Sequence, residues 1–191
     1  MDIVRLHDRA LDETAQLVDG VRPDQMGLPT PCSEWDVRAL LTHLVGGNGR
    51  WAGVARGEPL RRGPAQGGGP GADLLGGDPA GAYRRSAAEL QAAWGDPALL
   101  DRPFALPIGD LPGRAALAQH LVETVVHGWD LARATGQQPA YDPEVVRTAL
   151  DFAQAHTPAE RPPGGPFAPP VPVADDLPEI DRLAALLGRT P

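Results

Sequence analysis

Hydrophobic positions recur at helical spacing in five long stretches and one short one, and no run of useful length alternates as a strand would. The first stretch, about residues 2–19, sets Ile3, Leu6, Ala10, Leu17 and Val18, with Val21 beyond, against Asp2, Arg5, Asp8, Arg9, Asp12 and Glu13. Gly20 stands where that helix should end. Pro23, Gly27, Pro29 and Pro31 make the segment 22–31 a loop. A second helix is expected to start with Ser33 as its N-cap and Asp36 at the third position of a capping box, burying Trp35, Val37, Leu40, Leu41 and Leu44. Asp78-Pro79 and Asp142-Pro143 each read as a cap followed by a first-turn proline, opening helices that run to Gly95 and to about Ala155. Between them lies a helix from about Arg114 to Thr135, closed by Gly136, with Arg133 suited to the negative end of its dipole. A short helix, 178–187, can dock through Ile180, Leu183, Leu186 and Leu187 before Gly188 stops it.

The connections are punctuated by proline and glycine. Residues 62–71 read as a flexible surface connection, and their glycine run, with no strand before it and no lysine after it, is no phosphate loop. The stretch 97–112 carries a short extended piece at 104–106. The pattern predicts one all-α domain over 1–191. It is an antiparallel four-helix bundle with additional short helices, and a Pro-rich connection, 157–176, leads to the docking helix. A chain of 191 residues, 42% of them hydrophobic, is long enough to bury one sizeable core.

Charge then removes some partners. A formal net charge of −8, with no basic run, disfavours nucleic acid and anionic membrane surfaces. No apolar run is long enough to span a bilayer and no leader opens the chain, so a cytoplasmic protein is expected. The single cysteine, Cys32, can form no internal disulfide.

Candidate chemistry concentrates on the 114–135 helix. At 100° per residue His120, Glu123 and His127 fall within about 60° of one another. Glu123 and His127, one turn apart, can converge on one divalent ion if another segment adds a donor, and His43 on the second helix is the candidate. The same i,i+4 pair also makes an ordinary helix-surface hydrogen bond, so the spacing alone is weak evidence. His120 is about 10.5 Å along the axis from His127 and is expected to line the cavity or support the ligands. Asp130 either holds a ligating imidazole through its second nitrogen or is a solvated carboxylate. Trp35 and Trp129 read as core or rim aromatics, Cys32 as a buried structural thiol, and His7 and His156 have no partner constellation.

The segments Thr30-Pro31-Cys32-Ser33-Glu34-Trp35-Asp36-Val37, Leu41-Thr42-His43-Leu44 and Glu123-Thr124-Val125-Val126-His127-Gly128-Trp129-Asp130-Leu131-Ala132 together resemble the metal-binding domain of the mycothiol-dependent maleylpyruvate isomerase family. The closing segments 167–173 and 181–189 resemble an actinobacterial branch of it that lacks the C-terminal domain of the founding isomerase. The resemblance implies a DinB-like four-helix bundle and a divalent metal, usually zinc with nickel as the alternative, held by His43, Glu123 and His127. It also implies mycothiol as cosubstrate, a small-molecule thiol acting on a small electrophile by S-transfer or isomerisation. A non-catalytic metal sensor or small-ligand carrier, and a helical interaction module without metal, are the other readings. Substrate and dimerisation through an exposed helix face stay open.

Overall fold

The computed structural model describes residues 2–33, 35–60, 73–106, 109–156 and 167–191. The glycine-rich run 62–71 and residues 157–166 of the Pro-rich connection lie outside the described residues. Six α-helices carry the fold: α1 Ile3–Asp19, α2 Val37–Ala55, α3 Pro79–Ala93, α4 Gly113–Thr135, α5 Pro143–His156 and α6 Glu179–Leu186. A two-stranded antiparallel hairpin, β1 Pro103–Leu106 and β2 Gly109–Pro112, leads into α4 and contains the expected extended piece.

Most boundaries follow from the caps. Asp2 accepts from Arg5 N at 3.2 Å and Asp78 from Gly81 N at 2.9 Å, each satisfying a first-turn amide that has no helical partner. Gly136 ends α4 at φ 74°, a left-handed conformation that L side chains rarely adopt. One boundary departs from expectation. The N-cap of α2 is Asp36, which accepts from Ala39 N at 2.8 Å, and not Ser33. The preceding residues are engaged elsewhere. Thr30 N donates to Trp35 O at 3.1 Å, Val37 N to Leu28 O at 3.0 Å, and Trp35 N to Cys32 O at 2.8 Å. This hydrogen-bonded turn leaves Trp35 outside the helix, free to lean over its first turns. It also leaves Cys32 half-buried where a buried thiol was expected.

Helices α1 to α4 enclose a common core, with α2 against α3, α1 against α4, α1 against α3 and α2 against α4. Leu6, Leu11, Leu40, Leu41, Leu90, Leu117 and Leu121 are sealed inside it, each contributing roughly 1.5–3 kcal/mol by leaving water. Helices α5 and α6 pack against each other and both lie on α4. As a result α4 is covered on nearly every side, and buried residues run along its whole length from Gly113 to Thr135. Its polar residues therefore have to find partners inside the protein.

Close approach on α4 is set by Gly128. A Cβ there would stand 1.7 Å from Tyr141 Oη, and that hydroxyl is held by Thr14 Oγ1 at 2.6 Å. Two terms compete in Gly128→Ala. Helix propensity favours alanine by about 1 kcal/mol, while overpacking costs about 1–3 kcal/mol. With Tyr141 pinned from α1, the clash should win. Chemical denaturation of Gly128→Ala is expected to show a net loss of up to about 2 kcal/mol; a midpoint above that of the unmodified chain would contradict this packing.

Candidate functional site

Where α2 faces α4, the packing brings His43 and His127 together. Their ring centroids are 4.8 Å apart and the planes stand edge-to-face at 72°. Trp35, released from the helix, covers both rings, 4.4 Å from His43 and 5.6 Å from His127. His127 is buried, whereas His43 and Glu123 are half-buried.

The orientation of His127 is fixed from behind. Its Nδ1 is 3.0 Å from Asp130 Oδ2, one turn further along α4. Asp130 is fully buried and also receives Arg189, Nε to Oδ1 at 3.2 Å and Nη2 to Oδ2 at 2.9 Å. Burial pushes the Asp130 carboxyl up, but the hydrogen bonds and charges of His127 and Arg189 outweigh it and hold it below the ordinary carboxylate range. An ionised carboxylate only accepts, so His127 Nδ1 must carry a proton, which leaves Nε2 as the nitrogen available to a ligand. Of the two readings open for Asp130, the structure selects the carboxylate that sets an imidazole's tautomer.

Glu123 lies one turn before His127. Its Oε1 is 3.4 Å from Gln119 Nε2. Burial pushes its carboxyl up, while His127, Gln119, Trp51 and Arg50 pull it down. Among the described residues, no group of three or more His, Cys, Asp and Glu side chains is arranged to hold a metal ion. In donor chemistry the set suits a divalent ion: two imidazoles, one oriented through its Nδ1 by a carboxylate, and the carboxylate of Glu123. In arrangement, Glu123 is turned to Gln119.

His120 is buried and belongs to a second cluster. Its Nδ1 is 2.8 Å from His7 Nε2 on α1, and its ring lies 5.3 Å from that of Trp51. His7 is sealed in the core, and among the described residues its Nδ1 finds no hydrogen-bond partner; Asp8 Oδ1 is 4.0 Å away. Burial lowers His7 to about 3 and takes His120 well below its ordinary value.

The sequence reading of His7 as a residue without a constellation is therefore corrected. A signal was there: His7 falls on the α1 face that buries Leu6, Ala10, Leu11 and Thr14. Arg189 left no such signal, because its partner is 59 positions away. His156 remains a surface residue, stacked 4.0 Å from Phe152. Trp129 is a core aromatic whose Nε1 donates to Asp181 Oδ1 at 2.8 Å, tying α6 to α4.

Comparison with known proteins identifies the family and the fold. Residues 7–132 match the family described as mycothiol maleylpyruvate isomerase N-terminal domain. Two uncharacterized proteins of Mycobacterium tuberculosis, from strains CDC 1551 / Oshkosh and H37Rv, are each 40% identical over 194 residues, covering 100% of this chain and 99% of theirs. The crystal structure of the mycothiol-dependent maleylpyruvate isomerase superposes with a TM-score of 0.62 at 15% identity, covering 80% of this chain and 68% of that one. A variant of that isomerase with one histidine replaced by alanine gives a TM-score of 0.66, again at 15% identity, covering 81% and 67%. At that identity the likeness speaks for the fold, which is the all-α, DinB-like architecture expected from the sequence.

The His7–His120 pair makes acid sensitivity testable. The unfolded chain takes a proton on His7 near its ordinary value of 6.5, whereas the folded protein resists until about 3. The unfolded state thus binds more protons in that window, and stability falls as pH drops from about 6.5 towards 3. His120, lowered likewise, acts in the same direction. In His7→Phe the pH dependence of the unfolding free energy should flatten by up to ~1.4 kcal/mol per pH unit; parallel profiles for the two proteins would rule the mechanism out.

Proposed function

The chain belongs to the mycothiol maleylpyruvate isomerase N-terminal domain family, and on that footing we propose that it is a cytoplasmic, metal-dependent enzyme that uses a low-molecular-weight thiol, mycothiol, on a small electrophile. His43, Glu123 and His127 would hold the divalent ion, zinc in the first instance, and leave a coordination position open. A bound ion of this kind supplies Lewis acidity, which keeps a thiol deprotonated near neutral pH.

The protein's own residues have separate tasks. Asp130, fixed by Arg189, keeps the proton on His127 Nδ1 so that Nε2 faces the site. Trp35 covers the two imidazoles and limits the access of water from the loop side. The thiolate sulfur adds to the unsaturated carbon of the electrophile, forming a C–S bond as the π pair moves into the conjugated acceptor. Either a proton completes the S-conjugate, or rotation about the former double bond precedes expulsion of the thiolate, which leaves the isomer. The observation that carries this reading is the His127–Asp130–Arg189 chain. It is a buried device that spends two charged side chains on the direction of one imidazole lone pair.

Elemental analysis of the purified protein followed by mycothiol titration tests it. About one divalent ion per chain is expected, lost on replacing His43 or His127 with alanine. Turnover of maleylpyruvate or another unsaturated electrophile should require both the metal and the thiol. Full metal occupancy with no thiol-dependent turnover across such a panel would instead mark a sensor or carrier, and metal content unchanged in both histidine variants would remove the proposed ligand set.

A further inference from the structure

Trp51 stands late in α2 and is only 2% exposed. Its backbone carbonyl accepts from Trp94 Nε1 at 3.1 Å, and its ring lies 5.3 Å from that of His120, tilted by 50°. His120 is held in turn by His7 on α1, Nδ1 to Nε2 at 2.8 Å. The end of α3, α4 and, through the histidine pair, α1 thus all bear on this one residue. An indole has a single polar atom, an N–H that can only donate. Sealed from water, it has to find an acceptor inside the protein. That acceptor is the carboxylate of Glu123. Gln119 Nε2, 3.4 Å from Glu123 Oε1, is a second donor to the same group. Both donors are neutral, so they orient the carboxylate without cancelling its charge.

His127 is aimed from behind by Asp130. Glu123, one turn earlier on α4, has its own support in Trp51. We propose that Trp51 is a positioning residue of the site: its indole N–H, braced through His120 and His7, holds the Glu123 carboxylate in one orientation for a divalent ion, with Gln119 as the lesser donor. The proposal rests on the reading of His43, Glu123 and His127 given under the proposed function. In the alternative role Trp51 only fills the core beside His120, and then its N–H is immaterial.

Zinc affinity of the full chain, measured by competition with a chromophoric chelator at a temperature where every variant is folded, separates the two through a double-mutant cycle. Trp51→Phe keeps an aromatic ring and removes the N–H, and is expected to weaken zinc binding by about tenfold or more. Gln119→Met, at a half-buried position, should weaken it in the same direction but by less. In a Glu123→Ala background Trp51→Phe should make no further difference, which loss of core packing alone would not produce. In the isotope-labelled, metal-free protein the Trp51 indole N–H resonance should move upfield in Glu123→Ala. Unchanged or tighter zinc binding in Trp51→Phe, an equal loss with and without Glu123, or an indole resonance indifferent to Glu123 overturns the proposal. A chain that takes up no zinc, with the indole resonance still dependent on Glu123, defeats the metal reading and the proposal with it, while the hydrogen bond itself stands. Zinc that is lost in His43→Ala and His127→Ala but unaffected by Trp51→Phe defeats the role of Trp51 alone.

Discussion

The buried carboxylate of Asp130 is the constraint on which the rest of the site depends. A charge sealed from water is costly unless it is paired and hydrogen-bonded. Asp130 is satisfied on both oxygens by Arg189 and on one by His127. Each of these partners is itself buried, and Arg189 also donates to Leu187 O at 2.9 Å and lies over the Phe167 ring. The last residues of the chain are thereby part of the machinery that orients His127.

That arrangement follows from the position of α4. A helix covered by α1, α2, α5 and α6 leaves few polar groups to solvent, Arg114 and Arg133 near its ends among them. Thr124 and Thr135 bond back to the carbonyls of His120 and Leu131, and His120 turns to His7. His127 and Asp130 answer each other. Glu123 stays half-exposed, and Trp35 and His43 pack on the His127 ring one turn further along α4. The chemistry sits where cover is thinnest, over an interior whose polar groups are almost all satisfied. Among the described residues the exception is His7 Nδ1.

Acid sensitivity and site geometry come from the same burial. His7 and His120 are kept neutral by desolvation, while Asp130 stays charged because its partners outweigh the same effect. Like environments thus produce opposite protonation outcomes, decided by whether a charged partner is within reach.

Local pattern determined the helices, because periodicity, caps and glycine stops act within a few residues: Gly20, Asp78, Gly136 and Gly188 all stand at the ends expected of them. The pairing of His43 with His127 was legible in the same way, since each falls on the inward stripe of its own helix. The start of α2 was not, because Ser33 and Asp36 are both good caps and the choice fell to hydrogen bonds between Thr30, Leu28 and residues across the turn. Tertiary structure alone decided that His7 meets His120 and that Arg189 reaches Asp130. Those outcomes depend on which buried charges and dipoles are brought within about 3 Å across long sequence separations, and no local signal encodes that distance.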